Sequence, residues 1–195
     1  MYKRLKETYT PKYEPHNWNN NKFLNGSHNC YSYFLNDIND DLSQIYEENK
    51  KVRKYINPQP GHYCGMTKQV NVKETTCNNI IERVLCDNPN IQFIDAEDNN
   101  SFICPPNYYK GALAVDKGKM YHFYRQDESG EWSHKDGGND VTNLDYGGDK
   151  ISDPRYSDRG RYKEYCGYFC VPENDYKDTN MARNNFYEKR LWYKN

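Results

Sequence analysis

"KMYHFYRQDESGEWSHKDGG", residues 119–138, holds two short aromatic runs on either side of a turn. "MYHFYRQ" (120–126) and "EWSH" (131–134) carry the aromatic, alternating character of half-buried strands. "DESG" between them is turn chemistry, so the runs read as an antiparallel hairpin centred near Glu128 to Gly130. Pairing across that turn sets His122 roughly opposite Ser133 or His134. The two imidazoles then come within reach on one sheet face, where the register permits.

Outward from the hairpin the pattern divides. "IQFID" (91–95), "GALAVD" (111–116) and "CGYFCVP" (166–172) are further strand-like runs, separated by turn formers. Residues 135–165 form a long Gly/Asp-rich segment that reads as solvated surface loop. Its Asp140, Asn143, Asp145 and Asp149 miss the spacing of a calcium loop. Upstream the period changes to that of helices. Cys77, Ile80, Ile81, Val84 and Leu85 make an i, i+3, i+4, i+7, i+8 stripe through "KETTCNNIIERVLC" (73–86). Tyr33, Phe34 and Ile38 predict a shorter helix over 30–39. Leu42, Ile45, Tyr46 and Val52 predict a charged one over 41–56, which "NPQPGHYCG" breaks. Helices followed by an antiparallel meander make an α+β fold. Three regions follow: a polar arm over 1–22, a single domain over 23–172, and an aromatic, basic tail over 173–195 that packs Phe186, Leu191 and Trp192.

The chain has 195 residues, enough for one core, and a net charge of −1, which supports no nucleic-acid partner. Mean hydropathy is low at −1.21, yet 20 Tyr, 7 Phe and 3 Trp distinguish it from a disordered chain. The Asn, Lys and Tyr bias resembles proteins of large DNA viruses. No apolar stretch follows the basic start, so an intracellular chain (in host cytoplasm or virion) without membrane span or signal peptide is expected. On that expectation the seven cysteines are mostly reduced thiols. None of them forms the paired spacing of a zinc site.

Cys30 stands just behind "NGSHN" (25–29), at the first position of the predicted helix. Helix N-terminal N–H groups there favour a thiolate. A nucleophilic thiol needs a base and a group to orient it. Of five histidines, His16 and His62 sit in polar or turn segments and His28 diverges from the thiol, leaving His122 and His134.

In this order — cysteine opening a helix, histidine entering a strand, polar residue twelve on in the next strand — the chain resembles the NlpC/P60 branch of the papain-like cysteine hydrolases. The likeness covers about residues 25–140 as short motifs. It departs at "NCYS" from the family's Asp-Cys-Ser-Gly, and at "HFYRQ" from its His-Val-Gly-Ile-Tyr. The resemblance implies a papain-like domain with Cys30 as nucleophile, His122 as base and His134 as orienting residue. Asn29, Tyr124 and Trp132 are its oxyanion or substrate candidates. It implies hydrolysis of a peptide or amide through an acyl-thioester, with no metal or organic cofactor. The exchanged roles, His134 as base with Asp145 orienting it, stay open until the strand register is known. The alternative is a non-catalytic structural or interaction protein, such as a particle component, binding a partner protein through a tyrosine-rich surface or the tail.

Overall fold

The structure, a computed structural model, describes residues 10–38, 47, 58–61, 64–66 and 70–173. The predicted helix over 41–56, apart from Glu47, and the tail from 174 onward lie outside the described residues.

Among the described residues six antiparallel strands form one sheet: β1 (Gln92–Ile94), β2 (Tyr108–Asp116), β3 (Met120–Gln126), β4 (Trp132–Lys135), β5 (Val141–Thr142) and β6 (Glu164–Pro172). Their order is β1-β6-β2-β3-β4-β5, so the last strand inserts between the first two. With its helices this is an α+β architecture. Alternation of side chains divides the sheet into two faces. Tyr109, Leu113, Val115, Phe123, Phe169 and Val171 face the helices and build the larger core. Ala112, Ala114, Tyr124, Trp132 and Tyr168 face the other way.

The helical face is covered by α3 (Cys30–Phe34) and α4 (Cys77–Asp87). In α4 the apolar stripe turns Ile80 and Val84 fully inward, and Thr76 caps the start by accepting from the Asn79 N–H. The shorter α3 stops at Phe34 instead of continuing to Asn39. Asn36 takes the left-handed conformation (φ 49°), which asparagine tolerates, and Asp37 N–H closes back on the Ser32 carbonyl. Ile38 thereby leaves the stripe for the surface.

Close approach of α3 depends on Gly111. A Cβ built there would lie 2.2 Å from the Phe34 ring, which sits between Phe123 and Phe169 and has little room to yield. Gly111→Ala is therefore expected to lower stability by about 1–3 kcal/mol, measured by chemical denaturation.

The opposite face is where the predicted solvated loop departs from expectation. Residues 143–163 cross it as a cover and bury Ile151 and Tyr162 against Trp132 and Tyr168. The Trp132 backbone N–H donates to the Ile151 carbonyl at 2.8 Å, and Tyr168 donates its hydroxyl to the buried Asp153 carboxylate at 2.7 Å. Sequence polarity reads as surface, but aromatic residues spaced among the Gly and Asp positions suffice to cover a sheet.

The polar arm is packed as well. α1 (His16–Asn19) and α2 (Lys22–Ser27) bury Trp18 and Leu24 beside Tyr33 and Val141. Asn19 clasps the edge strand β5 through both its amide groups: Nδ2 donates to the Val141 carbonyl and Oδ1 accepts its N–H. That side chain occupies the ladder positions of an edge that would otherwise be open for pairing.

Candidate functional site

Asn29 precedes α3 with extended backbone, and its Oδ1 accepts the N–H groups of Tyr31 and Ser32 at 3.0 and 3.1 Å. Cys30 is consequently the first helical residue. Its side chain is buried within the helix-side core, against Phe123 and Tyr31. Burial pushes the thiol up to about 12, and the backbone N–H groups of Phe123 and Tyr31 offset only part of that shift. A five-residue helix contributes too weak a field to compensate for loss of solvent. The thiol is protonated at neutral pH.

His122 and His134 project from the opposite face. His122 stands next to Phe123 in β3, so the two point to different sides of the sheet. In the register Tyr124 opposes His134, placing His122 one pair further along the same face as a diagonal neighbour. The imidazoles meet, with His122 Nε2 2.7 Å from His134 Nδ1, and His134 Nε2 lies 2.9 Å from the Leu144 carbonyl. The structure unites the two histidines, and the Cys30 thiol meets the backbone N–H of Phe123, the residue that follows His122.

The remaining candidates have structural partners. Asn29 Nδ2 donates to the Pro58 carbonyl at 2.7 Å. Tyr124 and Trp132 are buried in the far-face core. The Asp145 carboxylate accepts backbone N–H groups of Gly147, Asp149 and Asp158 and does not orient His134, whose Nε2 is taken by Leu144. Among the described residues no group of three or more His, Cys, Asp or Glu is placed to hold a metal ion.

Two features were not foreseen. The first is a closed polar ring on the helix-facing side of the hairpin. Arg125 Nη2 donates to the Tyr33 hydroxyl (2.8 Å), Tyr33 to Ser133 (2.6 Å), and Ser133 to Asp127 (2.5 Å); Asp127 accepts from Arg125 in turn (3.1 Å). Arg125 also reaches Asn36 and the Lys12 carbonyl, tying the arm and the end of α3 to the sheet. An alternating strand bearing Arg125 gives some signal of this ring, since a charge on an inward position demands a partner.

The second corrects the expectation of reduced thiols. Cys64–Cys86, Cys77–Cys166 and Cys104–Cys170 are disulfides, and Cys30 is the one free cysteine. They fasten Cys64 to α4, the start of α4 to β6, and the β1–β2 connection to β6. Disulfides of this number belong to oxidising compartments.

No family model and no solved structure matches the chain, so the papain-like assignment finds no support there. The sequence is 30% identical over 160 residues to insoluble matrix shell protein 1 of Ruditapes philippinarum, across 82% of this chain and 89% of that protein. The chain belongs to the insoluble matrix shell protein 1 family. This kinship overturns the hydrolase reading, and a buried Cys30 with its thiol pushed up to about 12 agrees with it. The cysteine-peptidase and viral attributes fall with it: the composition bias is no guide to origin when the relative is a matrix shell protein. Among the described residues no helix of this family member is long and apolar enough to cross a membrane.

Proposed function

We propose that this protein is a non-catalytic structural component of a secreted, insoluble extracellular matrix. The observation that carries the reading is the kinship with a matrix shell protein along nearly its whole length. The disulfides support the extracellular setting, because three such bonds persist where no thiol pool reduces them. Saturated packing supports the structural role: both sheet faces are covered, an asparagine clasps one edge, and the Cys30 thiol is buried. Among the described tyrosines only Tyr146 and Tyr156 are exposed; the others are buried or half-buried and serve the core more than a binding surface.

Fractionation of the source tissue tests the proposal. Peptides of this chain are expected in the insoluble extracellular residue left after exhaustive salt and detergent extraction, with the three disulfides intact. Recovery of the chain, reduced, from the soluble cytoplasmic fraction would contradict the reading.

A further inference from the structure

The far-face histidine pair has a protonation state that geometry alone assigns. The Leu144 carbonyl only accepts, so His134 Nε2 carries a hydrogen. A neutral His134 then has a bare Nδ1, which must accept from His122 Nε2–H across the 2.7 Å contact. The neutral His122 therefore has no hydrogen on Nδ1. That atom is fully buried and has no hydrogen-bond partner among the described residues. Three of the pair's four ring nitrogens are thus engaged, and any added proton ends on His122 Nδ1. This holds even if the shared hydrogen moves across to His134.

What faces that proton is aromatic. The Tyr162 ring stacks on His122 (centroids 4.8 Å apart, 17° between planes), and Tyr124 and Tyr146 approach it edge-on at 4.9 and 6.4 Å. Asp136 and Asp145 lie near enough to attract a charge on His134, Arg159 acts on Tyr124, and the Cys30 thiol lies within electrostatic reach of both Tyr124 and Tyr162. Tyr146 and Tyr162 both belong to the cover that crosses this face, as does Leu144, whose carbonyl is the end of the proton chain. No disulfide anchors the cover, since all six paired cysteines lie outside residues 105–165.

We propose that the His122–His134 pair is an acid-sensitive latch that holds the 143–163 cover on the sheet, and that protonation of His122 Nδ1 releases the cover while the sheet, whose strand β6 carries two of the disulfides, stays folded. Burial holds His122 well below the usual histidine range, with the neighbouring His134 adding to the shift, and burial likewise lowers His134. The stacked Tyr162 face favours an imidazolium, but it does not outweigh the lost hydration. The sign follows from linkage. With the cover open, the imidazoles titrate near 6.5; closed, they resist the proton. The closed state is therefore fully favoured above about pH 6.5 and loses ground as pH falls below it.

Amide hydrogen exchange of the oxidised protein, corrected for intrinsic rates, tests the latch between pH 7 and pH 5. Protection of Asp145, Gly148 and Ile151 is expected to fall by about tenfold or more, as one or two protons taken up on opening require. Leu113, Phe123 and Phe169 are expected to keep theirs. Nitrogen NMR of the imidazoles should place the first proton on His122 Nδ1 with the same midpoint. In the double variant His122→Phe/His134→Gln, which keeps an amide donor for Leu144, the acid response should vanish. The proposal is overturned by cover protection that does not change with pH, by cover and sheet opening together, or by an undiminished acid response in the double variant. If that variant does not fold, wild-type exchange and the imidazole titration decide.

Discussion

Reduction of Cys64–Cys86, Cys77–Cys166 and Cys104–Cys170 under native conditions is expected to unfold the protein at room temperature. The bridges span sequence separations of 22, 89 and 66 residues. On the loop-entropy view, closures of that length contribute about 3–5 kcal/mol each by restricting the unfolded chain. A domain's whole stability is about 5–15 kcal/mol, so losing two or three of them consumes most of it. Cys77–Cys166 should matter most singly, since it closes the longest loop and joins α4 to β6, which pairs with both β1 and β2. Circular dichroism and denaturant midpoints of the oxidised, reduced and Cys77→Ser/Cys166→Ser forms check this. A reduced chain with an unchanged midpoint would contradict it.

The second large effect belongs to Asp127. Arg125 and Asp127 are both almost completely buried, with side chains 2% and 1% exposed. Burial raises the Asp127 carboxyl, while Arg125 and Ser133 act against that shift. Asp127→Ala leaves the guanidinium buried beside Tyr33 with no countercharge and also removes the acceptor of Ser133. Breaking one side of a buried pair of this kind costs about 3–5 kcal/mol. Replacing both partners, Arg125→Met with Asp127→Leu, should cost distinctly less, because neither charge is then stranded. The comparison is read from urea denaturation of the oxidised proteins. A double variant as damaged as Asp127→Ala would show that the ring is needed for more than charge balance.

Several elements were legible from local sequence. The 119–138 hairpin announces itself through "DESG" between two aromatic runs, and α4 through its five-residue apolar stripe. These signals are local, since turn chemistry and helical period act over a few residues. What decided function was not local. Whether His122 faces Cys30 depends on which side of β3 the helix docks, and one residue of parity reverses the answer. Phe123, the larger apolar neighbour, took the helix-facing position, and the His122 ring stacks on Tyr162 of the cover. The insertion of β6 between β1 and β2 is equally invisible from "CGYFCVP", as are the cysteine pairings, whose partners lie tens of residues apart. The cover over 143–163 was misread for a different reason. Its Gly and Asp residues satisfy their own backbone in turns such as that around Asp145, leaving Ile151 and Tyr162 free to pack inward.

Thiol mapping by mass spectrometry tests the central claim most directly, because structural protein and thiol hydrolase differ in the state of seven sulfur atoms. Iodoacetamide is applied to the unreduced protein at pH 6 and pH 8, folded and then in denaturant. A buried Cys30 with its thiol held up to about 12 should resist labelling in the fold at both pH values. In denaturant it should take up one label, and the other six cysteines none. Rapid alkylation of native Cys30 at pH 6, or labels on the six paired cysteines, would contradict a disulfide-stapled, non-catalytic matrix protein.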